Sequence, residues 1–290
     1  MKHNNLLPLL LILFLAACTS TSAPLPTQTH PAPNVIPPTS TPDPEAWEQV
    51  WADEFDQPDG SPPDPAKWNH QQGGAGWGNG ELQHYTDSIE NAFIEDGMLV
   101  IRANEEEMMG RNYTSARLNT LFKGDWTYGR FEIRAKLPNT QGIWPAFWLL
   151  PSRARYGSGA AGGEIDIMEL IGSEPGRSYA TLHFGNPADR STGYYDLPAG
   201  TAFSDDFHVF ALEWEPEEIR WYVDDVPFHS TTEWFTTGRK DAQQPAPFDQ
   251  DFYLLINVAV GGHWPGSPDE TSVFPQMLYV DYVRVSQHPQ

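Results

Sequence analysis

The chain has 290 residues, a formal net charge of −22 and a single cysteine. This charge argues against nucleic acids and anionic polysaccharides as partners, because they carry the same sign of charge. One cysteine excludes an intrachain disulfide. Aromatic residues make up 13% of the chain and include 11 tryptophans, which is typical of sugar-binding clefts and also of large cores.

The N-terminal segment predicts export. Lys2 precedes an apolar run from Leu6 to Leu15, which is too short to span a membrane. The sequence Leu-Ala-Ala-Cys that ends at Cys18 resembles the lipobox of bacterial lipoproteins, in which the cysteine is lipidated. We therefore predict a signal peptide at residues 1–17, lipidation of Cys18, and a membrane anchor at the cell surface or outer membrane. The alternative is an ordinary signal peptide with an incidental cysteine.

The rest of the chain divides by composition into a tether and one domain. Residues 18–44 are rich in proline, threonine and serine and contain almost no large apolar residues. Such a segment cannot bury a core, so it predicts an extended tether. Residues 45–290 are of a normal size for a single β-sandwich or barrel. Short alternating runs separated by Gly, Pro and Asp, without an internal repeat, predict that this domain is all-β.

Four stretches predict strands without any sign of chemistry. Residues 50–56 open the domain, and residues 277–285 alternate as a closing strand. In residues 129–138 the apolar side chains at odd-numbered positions are expected to face the core. Residues 210–225 predict a hairpin with its turn at residues 216–218.

Residues 142–151 predict a strand with two tryptophans on one face. With a period of two, Trp144, Ala146 and Trp148 share one side, and the apolar residues between them share the other. On the wall of a polar cleft, two tryptophans would stack on the C–H faces of sugar rings. Packing of both tryptophans in the core is the alternative.

Three carboxylates fall within the six residues Glu164-Ile165-Asp166-Ile167-Met168-Glu169. In a regular strand Glu164 and Asp166 would share one face, and Glu169 would point to the other. A β-bulge near Ile167-Met168 would bring Glu169 to the same face. Two glutamates and an aspartate on one face suit retaining glycoside hydrolysis, which needs a carboxylate nucleophile and a carboxylic acid about 5 Å apart. An exposed acidic strand or a cation site is the alternative.

This motif closely resembles the active-site strand of glycoside hydrolase family 16, in the bulged form of its laminarinase-like β-1,3-glucanases. The resemblance extends over residues 48–286 and includes the Trp-Pro-Ala-Phe-Trp strand. It implies a β-jelly-roll sandwich of the concanavalin A type, with two curved antiparallel sheets and a cleft across the concave one. It also implies that Glu164 is the nucleophile, that Glu169 is the acid and base, and that Asp166 lies between them.

The resemblance further implies contacts with substrate from Asn79, Arg117, Trp144, Trp148, His183, Asn257 and Trp264. The residues themselves leave three of these open. Asn79 precedes a glycine and suits a tight turn. Arg117 equally suits a salt bridge, and His183 equally suits a structural hydrogen bond.

The same resemblance implies a structural calcium ion on the face away from the cleft. Its ligands would be oxygens of Glu54, Gly97 and Asp281, and oxygen-only ligation suits calcium. Solvated carboxylates at turns are the alternative. The catalytic chemistry implied by the family needs no cofactor.

Taken together, these features predict a monomeric, lipid-anchored enzyme that cleaves β-1,3-glucosidic bonds inside laminarin-type glucans. One alternative is hydrolysis of another polysaccharide, such as mixed-linkage β-1,3-1,4-glucan or agar. The other alternative is a non-catalytic glucan-binding protein, which the presence of Glu164 and Glu169 disfavours.

Overall fold

A computed structural model describes residues 47–237 and 245–289. The predicted signal peptide, Cys18 and the whole predicted tether of residues 18–44 lie outside these residues. Within the described ranges, no helix is long and apolar enough to cross a membrane.

Strands form nearly all of the regular structure, and a short 3₁₀ helix at Gly159–Ala161 precedes the acidic strand. In chain order the strands are β1 (Glu48–Asp53), β2 (Asn69–His70), β3 (Gln83–Tyr85), β4 (Ala92–Glu95), β5 (Met98–Met108), β6 (Arg111–Ser115), β7 (Arg117–Asn119), β8 (Asp125–Trp126), β9 (Gly129–Lys136), β10 (Ile143–Pro151), β11 (Glu164–Glu169), β12 (Arg177–Phe184), β13 (Asp189–Asp196), β14 (His208–Trp214), β15 (Ile219–Val223), β16 (Val226–Thr231), β17 (Phe252–Val260) and β18 (Gln276–Gln287).

The strands form two sheets, which we call the outer sheet and the cleft sheet. The outer sheet has the order β16-β15-β14-β9-β18-β5-β6-β3, with β1 also paired to β18 and β4 to β5. The cleft sheet has the order β13-β12-β11-β10-β17-β7-β2, with β8 also paired to β17. This arrangement confirms the predicted all-β fold.

One strand pair departs from the antiparallel prediction. β3 runs parallel to β6. The chain passes through β4 and β5 before it reaches β6, so β3 and β6 come to lie side by side in the same direction. Parallel pairs need such a crossover, whereas antiparallel neighbours can be joined by a hairpin.

The core lies between the two sheets, and the alternation predicted for residues 129–138 is confirmed. Phe131, Ile133, Ala135 and Leu137 are at most 2% exposed. The predicted hairpin is also confirmed, since β14 and β15 are joined by a turn in which the Glu215 N–H donates to the Glu218 carbonyl at 3.0 Å. Every residue of the central strand β17 is buried, because one face meets the core and the other lies under the cleft.

Candidate active site

The predicted bulge is present in β11. Asp166 pairs with Thr181 of β12 and Glu169 pairs with Tyr179, so three steps along β11 match two steps along β12. The extra residue re-aims the strand. Ile167 and Met168 are both buried in the core. Glu169 is therefore turned to the same side as Glu164 and Asp166, and all three carboxylates line one cavity.

The opposite sheet supports this bulge from behind. A bulge interrupts the hydrogen-bond ladder, and buried backbone groups need partners. The Trp221 indole, which projects from β15 of the outer sheet, donates to the Asp166 carbonyl at 2.9 Å. A core side chain thus anchors β11 where its geometry is irregular.

The cavity has a volume of about 700 Å³ and lies on the cleft sheet. It is lined by all of the residues that the sequence analysis assigned to catalysis or substrate binding: Asn79, Arg117, Trp144, Trp148, Glu164, Asp166, Glu169, His183, Asn257 and Trp264. The predicted face of β10 is confirmed, because Trp144, Ala146 and Trp148 line this cavity while Ile143, Phe147 and Leu149 are fully buried in the core. Core packing of both tryptophans is thereby excluded.

The three acids have no lysine or arginine partner within the described part of the chain. Their nearest basic group is His183, whose Nε2 lies 3.3 Å from Asp166 Oδ2 and 3.9 Å from Glu164 Oε1. Buried carboxyl groups without cations resist ionisation. Burial raises the pKa of Asp166 well above its usual range, and the charge of Glu164 raises it further.

The two glutamates differ in how readily they ionise. Burial raises the pKa of Glu169 well above its usual range, and the charges of Asp166 and Glu164 add to this effect. Burial also raises the pKa of Glu164, but the positive charges of His183 and Arg117 oppose the rise. The Glu164 side chain is 32% exposed, so water also helps it to hold a charge. The site therefore favours a charged Glu164 beside a protonated Glu169.

Arg117 forms part of the cavity wall by stacking on aromatic rings. Its guanidinium carbon lies 4.7 Å from the ring centroid of Trp77 and 4.6 Å from that of Trp148. Its Nε donates to Gln71 Oε1 at 2.5 Å, and it makes no ion pair among the described residues. The salt-bridge alternative is therefore not what the structure shows.

Aromatic rings form the wall at the Glu169 end. The Trp144 indole donates to Glu169 Oε1 at 3.1 Å. Trp264 packs edge-on against Trp144 and Tyr179, with ring centroids 5.5 and 5.0 Å apart. Trp264 remains 41% exposed, so its ring presents apolar surface to the cleft.

Asn79 lies both in the predicted turn and on the cavity wall. It lies in a turn with Gly80, whose φ is +72°. Its side chain nevertheless lines the cavity and donates to Glu81 Oε1 at 3.0 Å. Its carbonyl accepts from the His263 N–H at 2.8 Å, which connects this turn to the loop that carries Trp264.

Comparison with known proteins identifies the family. The profile of Glycosyl hydrolases family 16 matches residues 81–283. The chain belongs to this family. It is 48% identical over 252 residues to a beta-glucanase of Rhodothermus marinus, an alignment that covers 82% of this chain and 85% of that one.

Two further relatives agree with this assignment. A glucan endo-1,3-beta-glucosidase of Cryptopygus antarcticus is 41% identical, and the alignment covers 82% of this chain and 92% of that one. The X-ray structure of the laminarinase from Rhodothermus marinus superposes with a TM-score of 0.76 at 47% identity, covering 84% of this chain and 98% of that one. The chain is therefore a glycoside hydrolase of family 16 with the jelly-roll fold.

One group of donors in this family 16 site has the composition of a cation site. Ligand atoms of Glu164, Asp166 and His183 all lie within 4.8 Å of one another. Family 16 chemistry requires no catalytic cofactor. Besides burial, the same crowding raises the pKa of Asp166, because Glu164 lies beside it as a like charge.

The segments that carry the three predicted calcium ligands meet along β18 of the outer sheet. β1 ends where Asp53 pairs with Val283, and β5 begins beside Val280, so Asp281 lies in the gap between the two strands. However, both oxygens of Glu54 accept from Arg284, at 2.8 and 2.9 Å, and Asp281 pairs with Arg134. Oxygen ligands suit a hard cation, which would have to displace Arg284 from Glu54 and Arg134 from Asp281. Calcium binding stays a prediction.

Several residues that line the cavity were not singled out from the sequence. They are Trp77, Glu81, Tyr179, Thr181, Arg190, Thr192 and Ala259. Tyr179 and Thr181 share the period-two face of His183 in β12, so alternation from the histidine would have found them. Glu81 gave no such signal, because an acid after an Asn-Gly turn is normally solvated.

Proposed function

We propose that this family 16 enzyme is a retaining endo-β-1,3-glucanase. The observation that carries the proposal is the bulge in β11, which puts Glu164, Asp166 and Glu169 on one wall of the cavity. Their surroundings favour a charged Glu164 and a protonated Glu169, which are the two states that a retaining mechanism needs at its start. The substrate class follows from the relatives named as laminarinase and glucan endo-1,3-beta-glucosidase.

In the first step the Glu164 carboxylate attacks the anomeric carbon. The glycosidic C–O bond breaks, and Glu169 gives its proton to the departing oxygen. The product is a glycosyl ester on Glu164, and Glu169 is left as a carboxylate. Trp144 donates to that carboxylate, so its hydrogen bond stabilises the charge that develops on Glu169 during this step.

In the second step water hydrolyses the ester. Glu169 removes a proton from the water, the new C–O bond forms on the face the first sugar left, and Glu164 departs as a carboxylate. Two displacements leave the anomeric configuration unchanged. Asp166 and His183 do not bond to the sugar in this scheme. They lie 3.3 Å apart beside Glu164, and the charge of His183 lowers the pKa of Glu164.

The cavity walls suit an uncharged glucan. The tryptophans offer flat apolar surface for the C–H faces of sugar rings, while Arg117 and Asn257 offer polar groups for the hydroxyl edges. The net charge of −22 disfavours sulfated galactans.

Product analysis on laminarin, barley mixed-linkage glucan and agarose tests the proposal, with wild type and Glu164→Gln. We expect short β-1,3-oligosaccharides from laminarin, first released as the β-anomer by NMR, and none from the variant. If the viscosity of the laminarin solution falls before many reducing ends have formed, the enzyme cleaves inside the chain.

Release of the α-anomer would exclude retention. Activity on agarose alone would keep the carboxylate chemistry and overturn the substrate. A folded wild type that binds laminarin without cleaving any polymer would favour a glucan-binding protein.

We also propose that the enzyme is lipid-anchored at the cell surface or outer membrane through Cys18, the only cysteine of the chain. Metabolic labelling with a fatty acid should mark wild type and leave Cys18→Ser unlabelled and released. Labelling of neither form would support an ordinary signal peptide.

We propose that the protein is a monomer. Light scattering should give the mass of one chain.

We also propose that the protein binds a structural calcium ion at Glu54, Gly97 and Asp281. The melting temperature should be higher in calcium than in a chelator for wild type and equal in both for Glu54→Gln. Equal values for wild type would exclude the calcium site.

A further inference from the structure

Glu81 is a buried carboxylate beneath the cleft that the proposed mechanism does not use. It is 3% exposed and borders the cavity. Within the described ranges no lysine or arginine forms a salt bridge with it. Instead it accepts hydrogen bonds from three neutral donors: the amide of Asn79 at 3.0 Å, the amide of Gln83 at 2.6 Å and the hydroxyl of Tyr85 at 3.2 Å. A buried acid compensated in this way needs a reason beyond stability.

Glu81 accepts all three of these hydrogen bonds, so it sets the direction of the hydrogen bonds around it. Gln83 has its oxygen occupied by the Val260 N–H at 2.8 Å, so its NH₂ group faces Glu81. Tyr85 has a single hydroxyl hydrogen, which it gives to Glu81. Burial and the charge of Glu81 hold the pKa of Tyr85 well above its usual range, so this hydrogen is retained.

The series of hydrogen bonds continues from Tyr85 to the cleft wall. With its hydrogen committed, the Tyr85 oxygen accepts from Asn257 Nδ2 at 3.2 Å. This orients the Asn257 amide so that its oxygen accepts from the Trp148 indole at 2.8 Å. The Trp148 ring in turn lies against the Arg117 guanidinium. One carboxylate is therefore connected, through Tyr85 and Asn257, to Trp148 and Arg117 on the cavity wall.

The second oxygen of Glu81 reaches the other wall. It holds the side chain of Asn79, whose carbonyl accepts from the His263 N–H. His263 belongs to the loop that carries Trp264. Glu81 is thus connected by hydrogen bonds both to Trp148 at the Glu164 end of the cavity and to the loop of Trp264 at the Glu169 end.

We propose that Glu81 is a positioning residue that sets the orientation of the glucan-binding side chains on both walls. This inference rests on the proposed glucan substrate and deepens it. Glu81→Gln keeps the shape but replaces one acceptor oxygen with an NH₂ group, which then faces a donor. The binding side chains must reorient, whereas the three catalytic acids are unaltered.

Steady-state kinetics on laminarihexaose test this proposal. We expect Glu81→Gln to raise KM about tenfold, the factor for one lost hydrogen bond to a charged group, with kcat changed less than about threefold. The pH profile of kcat should stay in place. Tyr85→Phe breaks the same chain by removing one hydroxyl, and it should raise KM in the same way. The KM of the double variant should be little higher than that of Glu81→Gln, because both substitutions act through the same series of hydrogen bonds.

Glu213→Gln provides the matched control, since Glu213 is an equally buried glutamate in the outer sheet. It should lower the melting temperature and leave KM unchanged. If Glu81→Gln lowers the melting temperature with an unchanged KM, Glu81 is only structural and the proposal is wrong. If Glu81→Gln does not fold, Tyr85→Phe decides, and an unchanged KM overturns the proposal. A wild type that does not cleave laminarihexaose would instead overturn the proposed function.

Discussion

Glu213 in β14 and Asp166 in β11 are both buried carboxylates, one in each sheet, and their surroundings are opposite. Glu213 is 0% exposed and accepts from Arg130 at 2.7 Å, from Arg220 at 3.0 Å and from the Tyr222 hydroxyl at 2.6 Å. Two guanidinium groups compensate its charge, and the hydrogen bonds occupy both of its oxygens.

Asp166 is 3% exposed and has no lysine or arginine partner among residues 47–237 and 245–289. His183 is the nearest basic group, and Glu164 adds a like charge that raises the Asp166 pKa further. The comparison teaches that burial does not by itself decide what an acid does. A buried acid that pairs with arginines, such as Glu213, joins elements of the fold, whereas one that lies beside a like charge, such as Asp166, has a raised pKa and can serve chemistry.

The largest effect should come from the catalytic glutamates themselves. Glu164→Gln removes the nucleophile and should lower kcat on laminarin by about 10⁴-fold or more, with the melting temperature maintained. Glu169→Gln removes the acid and should cost about 10²–10⁴-fold.

An aryl β-glycoside distinguishes the two roles, because its leaving group needs no proton. On this substrate Glu169→Gln should recover much of its first step and Glu164→Gln should not. Wild-type turnover by either variant on laminarin would contradict the assignment.

The next largest effect concerns stability in the outer sheet. Glu213→Gln leaves Arg130 and Arg220 with less compensation and should lower the free energy of unfolding by about 3 kcal/mol, as for a broken buried ion pair. Denaturant unfolding at pH 7 measures this change. Glu215→Gln is the control, because it removes a partly exposed partner of Arg220 and should cost less than about 1 kcal/mol. Equal losses of unfolding free energy in Glu213→Gln and Glu215→Gln would show that the burial of Glu213 does not affect its contribution to stability.

Asp166→Asn should raise the free energy of unfolding at pH 7, whereas Glu213→Gln lowers it. The raised pKa of Asp166 means that the folded state holds a proton which the unfolded state has released, so wild-type stability falls as pH rises from about 4 through the folded pKa. The variant should melt higher than wild type at pH 7, by about 2–4 °C for each kcal/mol relieved, and turn over more slowly. The gain in melting temperature should vanish below about pH 4, where Asp166 is protonated in both the folded and the unfolded state. A gain that persists there would show that charge is not its cause.

The smallest effects should be shifts in the pH profile of kcat/KM. His183 lowers the pKa of both Glu164 and Glu169, so His183→Gln should move both limbs to higher pH. Trp144 lowers the pKa of Glu169 alone, so Trp144→Phe should move only the alkaline limb upward. Profiles measured on laminarin at several pH values separate the two outcomes. Movement of the acid limb in Trp144→Phe would contradict the assignment of Glu169 as the acid.

The sequence carried enough information for the catalytic strand and its neighbour. Period-two alternation separated the core side of β10 from its cleft side, and the spacing of Glu164, Asp166 and Glu169 required a bulge that the structure contains. These features are local, because they depend on which face a side chain occupies within one strand.

The tertiary structure decided the features that depend on distant segments. Tyr85, which donates to Glu81, meets Asn257 from 172 residues away, and Trp221 reaches across the core to the Asp166 carbonyl. The sequence determined that acids and tryptophans share one face of a cleft. Whether each buried acid keeps a charge or a proton was decided by the folded structure, because that depends on cations and donors brought from other strands.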